Sequence, residues 1–436
     1  MIKKFSGISI MVFSMLMATL SVAETIEQSL VRAIEHSPQI REQYARFQTV
    51  LQQREIVRSE YYPQVSIRGA VGPEQTDYLA DVEVDEKLTR EDISLRISQS
   101  LFSGFDTRAN SDRLFSESES ERLQLHASAE NLALQVSEVY LNVLRAKQLV
   151  DLTQVHVKTH EKTLASVRGL MEKGFANQAD IAQVSARLAN ARSSLVAAQN
   201  NFHDSHAQFY RVIGQSPSSL IMPAVDKSLL PLSLSDALAW AKEAHPQLKS
   251  AMADIDAARH AVKASKAGYY PRLSIEGVAN HNNDIGSIEG REEAYRVQLV
   301  LEYDLYNGGR DSSRTRASNW QYNEALEVRR NAEQDLMEGT RFSWNAYSSV
   351  SQQVNYIGQS VDAATLAEDG YLTQYKLGKR SLLDLLNASA EVFIARRNYI
   401  NAEVDLTQAQ YRLLNSTGRL AYSMRVSLPQ QWMGEN

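Results

Sequence analysis

Tyr61-Tyr62-Pro63-Gln64-Val65-Ser66-Ile67-Arg68-Gly69 is written again 208 positions later, as Tyr269-Tyr270-Pro271-Arg272-Leu273-Ser274-Ile275-Glu276-Gly277. In both copies a proline precedes residues that alternate between aliphatic and polar, which is the period of a strand. The alternation resumes after a polar loop. Ile93, Leu95 and Ile97 face away from Ser94, Arg96 and Ser98, and in the second copy Val297, Leu299 and Leu301 alternate with Arg296, Gln298 and Glu302. Each copy reads as a hairpin with one aliphatic face and one face of charges and hydroxyls. Such a hairpin suits a soluble protein with one buried face, or a barrel wall with lipid outside and water inside.

The repeat extends in both directions. Pro38-Gln39 recurs as Pro246-Gln247 at the same offset. Beyond the hairpins the offset falls to 204: Leu101-Phe102-Ser103-Gly104 matches Leu305-Tyr306-Asn307-Gly308, and Gly174, Asp180 and Gly214 match Gly378, Asp384 and Gly418. The second copy is shorter by four residues, lost between Gly69 and Leu101 of the first. A period this long is not a solenoid. It means two equivalent halves, 24–214 and 232–418, joined by a linker over 215–231 and followed by a tail over 419–436. Strands are expected at about 61–72, 91–102, 269–278 and 294–304.

Each half opens with short helices punctuated by Pro38 or Pro246, since proline tolerates a first helical turn. After each hairpin the chain turns helical for a long distance, over about 106–172 and 177–213, then 308–376 and 380–416. A helix over 106–172 would be about 100 Å long at ~1.5 Å per residue. Leu125, Ala129, Leu132, Val136, Val139, Val143, Ala146 and Val150 step by four and three, as do Ile181, Val184, Leu188, Ala191, Leu195, Ala198 and Phe202. The second seam returns as Leu385, Ala388, Val392, Ala395, Tyr399, Ala402 and Leu406. Sustained heptads mean long helices packed as coiled coils.

Lys3 and Lys4, an apolar run from Ile8 to Leu20, and Ser21-Val22-Ala23 read as a cleavable signal peptide over 1–23. The formal net charge is −6, and −8 without those two lysines, which argues against a nucleic-acid partner. There is no cysteine, hence no disulfide, no thiolate metal site and no lipid-bearing cysteine at the cleavage site. With a mean hydropathy of −0.35, no stretch beyond the leader is apolar enough to span a membrane as a helix. Strands would have to do so. Four strands cannot close, and an open edge leaves backbone groups unsatisfied in lipid. Three copies supply twelve strands, within the range of outer-membrane barrels. A passive porin needs only short turns on the periplasmic side, so the long helices argue against one.

His156 and His160, and His203 and His206, have spacings that chelate a metal on one helix face. No carboxylate or thiolate completes either pair, so solvated helix faces are the expectation, with no metal and no cofactor. No nucleophile-elbow, phosphate-loop or zinc-protease motif is present, and an enzyme is not expected.

The duplicated Tyr-Tyr-Pro strands, the Leu-[Phe/Tyr]-x-Gly turns, the run Gln374-Tyr375-Lys376-Leu377-Gly378-Lys379-Arg380-Ser381-Leu382-Leu383-Asp384-Leu385-Leu386-Asn387-Ala388 and the closing Tyr411-Arg412-Leu413-Leu414-Asn415-Ser416-Thr417-Gly418-Arg419-Leu420 resemble TolC-family outer membrane factors. The resemblance covers almost the whole mature chain. It implies an α+β membrane protein: a homotrimer with a 12-stranded outer-membrane barrel, a periplasmic α-helical tunnel and an equatorial belt of short helices, linker and tail. The implied partners are outer-membrane lipid, a periplasmic adaptor protein docking at the helical turns of Gly174 and Gly378, and an inner-membrane exporter. The missing lipid cysteine and the Leu-Leu-Asp-Leu-Leu-Asn run look most like members serving type I secretion through an ABC exporter, with cargo such as a large adhesin. Multidrug efflux with a proton-driven pump is the alternative, and a periplasmic coiled-coil structural protein is an alternative of another class.

The resemblance also implies a gate at the periplasmic end. Asp384 falls where the family places a carboxylate ring, and a second acidic position is Asn387 here. Tyr375 and Asp180 match a hydrogen-bonded pair. Arg380 matches an arginine with partners near Ala179 and Asp180; with alanine at 179, Asp180 is expected to hold it alone.

Overall fold

The computed structural model describes residues 24–75, 88–286 and 289–432. The leader over 1–23 and most of the acidic loop between the first two strands lie outside them. In chain order the elements are α1 (Ile26–His36), α2 (Pro38–Arg58), β1 (Gln64–Glu74), β2 (Leu88–Phe102), α3 (Asp106–Glu172) and α4 (Gln178–Ile213). The second half repeats them as α5 (Leu234–Ala244), α6 (Pro246–Ser265), β3 (Arg272–Asn283), β4 (Arg291–Glu302), α7 (Arg310–Lys376) and α8 (Leu382–Ser416), followed by a short α9 (Leu420–Ser423).

The start of each short helix is set locally. Thr25 caps α1 in a reciprocal capping box with Gln28. The first-turn prolines follow an N-cap in both halves, but the caps differ: Ser37 accepts from the Ile40 N–H through its hydroxyl, and His245 accepts from the Gln247 N–H through Nδ1. Burial drives the His245 imidazole down to about 4, so it stays neutral and keeps that acceptor.

The strands form one antiparallel sheet in the order β1-β2-β3-β4. The β2–β3 pairing joins the halves, and among the described residues β1 and β4 are edges without a further strand. Directly paired residues share a face. One face therefore gathers Val65, Ile67, Ile93, Leu95, Ile97, Ile275, Val297 and Leu299. Among the described residues nothing covers it: Ile67 is 76% exposed, Val71 73% and Val297 79%. A soluble hairpin buries that face, so the soluble alternative fails here.

At the foot of the sheet each half turns into its long helix through left-handed residues, Gly104 and Phe105 (φ 66° and 70°), then Gly308 and Gly309 (φ 69° and 83°). Phe105 is the non-glycine of the set, and its ring packs edge-on against Phe102 and Tyr270. Helices α3 and α7 have 67 residues each, about 100 Å at ~1.5 Å per residue.

The main core lies partway along the long helices. Leu125, Leu132, Val136 and Tyr140 of α3 pack with Ile26 and Leu30 of α1, Phe209 and Ile213 of α4, Leu413 and Leu414 of α8, and Trp432 of the tail. Glu24 is 3% exposed: it pairs with Arg32 at 2.9 Å and accepts from Ser29 and Ser218 hydroxyls at 2.9 and 3.0 Å. The buried Glu130 carboxyl accepts from the Leu420 and Ala421 N–H groups at 2.9 and 3.2 Å, holding the start of α9; burial pushes it up to about 7. Among the described residues no helix is long and apolar enough to cross a membrane.

Candidate gate at the helical turns

The two long hairpins end in the same device. Helix α3 stops at Gly174 (φ 78°), where the Gly174 N–H bonds to the Met171 carbonyl and the Phe175 N–H to that of Leu170, both at 2.9 Å. Helix α7 stops at Gly378 (φ 71°), with Gly378 on Tyr375 and Lys379 on Gln374, again at 2.9 Å. This two-bond pattern around a left-handed glycine satisfies the last carbonyls of a helix. The return helices each begin with a capping box. Asn177 Oδ1 accepts from the Asp180 N–H and Asp180 Oδ2 from the Asn177 N–H, both at 3.0 Å. Asp384 Oδ2 accepts from the Ser381 hydroxyl at 2.9 Å and its N–H at 3.2 Å.

Asp180 and Asp384 are thus one position seen twice, the third residue of a return helix. The Ser381 hydrogen bonds, the hydroxyl first, hold the Asp384 carboxyl below the usual range. The spacings Asn-x-x-Asp and Ser-x-x-Asp carried this signal in the sequence.

The other gate residues gather around the second turn. Tyr375 is half-buried beside the apolar cluster of Leu382 and Leu386 of α8, Val184 and Leu188 of α4, and Val157, Leu164 and Val167 of α3. Burial, then the charge of Asp180, pushes its phenol up. Within one chain no hydrogen bond joins Tyr375 to Asp180, whose carboxylate is taken by its own cap. Arg380 does not rest on Asp180 in the single chain either. Its Nε donates to Gln374 Oε1 at 3.1 Å, its guanidinium lies 4.7 Å from the Tyr371 ring centre, and Nη1 is 4.0 Å from Asp384. The short turn keeps the guanidinium over the last turn of α7.

Asn387 accepts from Arg187 Nη2 at 3.1 Å. The repeat carries no signal for Arg187, because it places Glu391 at the equivalent position and the bond crosses between halves. With Leu382 and Leu386 it seats the start of α8 on the first hairpin. Farther along, α8 lies on α3: His156 stacks on Phe393 at 4.2 Å and 18°, and Arg145 pairs with Asp405 at 2.5 Å. His156 and His160 spend their Nε2 atoms on each other at 3.2 Å, and burial, then His160, takes His156 down to about 4. His156 is thus an α3–α8 contact and His160 is buried, so the pair is not a solvated face. His206 packs on Phe202 at 4.4 Å. Among the described residues no cluster of three or more metal-ligating side chains occurs.

Comparison with known proteins bears on what this arrangement is. The model of the Outer membrane efflux protein family matches residues 30–215 and 238–419, one match per half. Outer membrane efflux protein BepC of Brucella suis biovar 1 is 26% identical over 403 residues, 92% of this chain and 86% of that protein. Alkaline protease secretion protein AprF of Pseudomonas aeruginosa is 22% identical over 298 residues, 66% of this chain and 62% of that protein. The solved outer-membrane channel OprN superposes with a TM-score of 0.77 at 19% identity, over 90% of this chain and 89% of that one. With its duplicated strand-and-helix halves and bare aliphatic sheet face, the chain belongs to the outer membrane efflux protein family, the TolC-type proteins of the outer membrane.

Proposed function

We propose that three copies of this chain close into one conduit, a twelve-stranded barrel above a tunnel of twelve long helices, through which an inner-membrane exporter and a periplasmic adaptor deliver cargo to the outside. The observation that carries this reading is the four-stranded sheet with two free edges and an uncovered aliphatic face, set on two long helical hairpins. Free edges are intolerable in lipid, and equal copies joined edge to edge remove them. The adaptor docks at the Gly174 and Gly378 turns. Asp384 lines the constriction, held charged by Ser381. Opening requires the start of α8 to leave its seat on Leu188 and Val184 and to give up the Arg187–Asn387 bond.

The cargo class we favour is protein, delivered by an ABC exporter in type I secretion. Supporting this are the absence of any cysteine to carry a lipid and the likeness to a protein named for alkaline protease secretion. The likeness to an efflux protein favours the second reading, multidrug efflux with a proton-driven pump. Deleting the gene separates them. Protein secretion predicts loss of a large surface or released protein with little change in drug sensitivity; broad drug hypersensitivity with normal secretion favours efflux.

A further inference from the structure

Opposite the aliphatic face, the sheet carries its polar residues in rows that run across all four strands. Two adjacent rows sit at the centre: Ser66–Arg96–Val278–Arg296, and Arg68–Ser94–Asn280–Ala294. The aliphatic rows around them, Val65–Ile97–Gly277–Val297 and Ile67–Leu95–Ala279–Tyr295, place this level within the apolar band. Three arginines, Arg68, Arg96 and Arg296, therefore share the polar face at the level of the aliphatic rows, with no carboxylate in either row. All three are exposed.

They differ from the other strand arginines. Arg90 pairs with Asp92 at 3.0 Å and Glu74 at 3.6 Å, and Arg291 pairs with Glu293. Within the single chain none of the three central arginines makes an ion pair or side-chain hydrogen bond among the described residues; Arg96 has both neighbouring strands in place, while Arg68 and Arg296 stand on the edge strands that neighbouring copies join. The nearest acids are one row away. Asp92 and Glu292 lie on the outer side, the first taken by Arg90 and the second accepting from Asn282 at 3.4 Å. On the inner side Glu276 is only a diagonal neighbour of Arg96 and Arg296, a separation of about 7–8 Å between such positions.

We propose that these residues form a cationic belt in the exit lumen that accepts carboxylate-rich polypeptide. The proposal rests on the protein-export reading and narrows it. Three chains bring nine arginines to one level of a confined passage with a low-dielectric wall behind it. Such a wall focuses the field of unpaired charges along the axis. A carboxylate-rich strand gains counter-ions there, and a lysine-rich one is repelled.

The test uses the mature trimer in planar bilayers, with polyglutamate or polylysine of matched length added on the side of the strand loops. Polyglutamate should give resolved blockades. In the triple variant Arg68→Gln, Arg96→Gln, Arg296→Gln its capture rate should fall by about tenfold or more, the lower end of what such focusing gives. Polylysine capture should hold or rise. The triple Arg→Lys variant should recover polyglutamate capture, which an altered fold would not do. Equal capture of polyglutamate by the native protein and the glutamine variant overturns the belt while leaving the export channel standing. An equal loss of both polymers also overturns it, since a general pore defect explains that. Bilayers with no channel steps from the native protein overturn the export reading and the belt with it.

Discussion

At the residue scale, the two halves solve one junction in opposite ways. Where strand meets long helix, the first half places Glu60 on the short turn before β1, and it accepts from Thr107 at the start of α3 at 2.8 Å. In the second half the turn position is Gly268 and the helix position is Asp311, a buried carboxylate accepting from Asn307. The acid has changed sides. A Cβ on Gly268 would sit 2.6 Å from Asp311 Cγ, so the buried carboxyl would have to shift off its Asn307 bond. Gly268→Ala should therefore lower the thermal midpoint in detergent by the equivalent of about 1–3 kcal/mol. Gly268→Glu combined with Asp311→Thr, which copies the first half, should recover most of it. A single Gly268→Ala as stable as the native protein would show that the Asp311 carboxyl has room to move.

The elements were legible in the sequence where burial and period coincide. The strand centres, the long helices and both glycine turns follow from alternation, heptads and punctuation. Strand ends were harder to see. β3 continues through His281-Asn282-Asn283 and β2 begins at Leu88, because residues at the rim keep pairing after the side chains turn polar. β1 begins only at Gln64, after a 3₁₀ turn over Ser59–Tyr61. At the candidate gate the residue types were readable. Their partners were not, since Arg187–Asn387 and His156–Phe393 join different halves and no repeat can announce them.

Two predictions belong to this scale. The first concerns the His245 cap. The fold lowers its pKa from 6.5 to about 4, so the unfolded chain binds more protons between those values. Stability from this group is whole above pH 6.5 and falls as the pH drops towards 4, by up to about 3 kcal/mol at ~1.4 kcal/mol per pH unit. His245→Ser, which copies Ser37, should keep the cap and flatten thermal midpoints measured by circular dichroism between pH 7 and 4.5. An unchanged slope would assign the acid sensitivity elsewhere. The second prediction concerns the gate. Tyr375→Phe with Arg380→Ser removes the Arg380 contacts to Gln374, Tyr371 and Asp384 that order the second turn beside the seat of α8, and bilayer conductance should rise. Asp384→Ala should abolish cation selectivity. With asparagine at 387, native block by multivalent cations should be weak. Conductance that ignores the double variant would remove these residues from the gate and leave the fold untouched.

At the scale of the whole molecule, everything turns on an incomplete sheet. One chain offers a core that holds its short helices, linker and tail together, yet it leaves β1 and β4 unpaired and an aliphatic face uncovered. Lipid covers the face, but only more copies satisfy the edges. Light scattering on the detergent-solubilised mature protein, with detergent mass subtracted, tests this most directly. The protein mass should be three times that of the mature chain, with an intact strand signal in circular dichroism. A stable species of single-chain mass with the same strand signal would contradict the shared barrel.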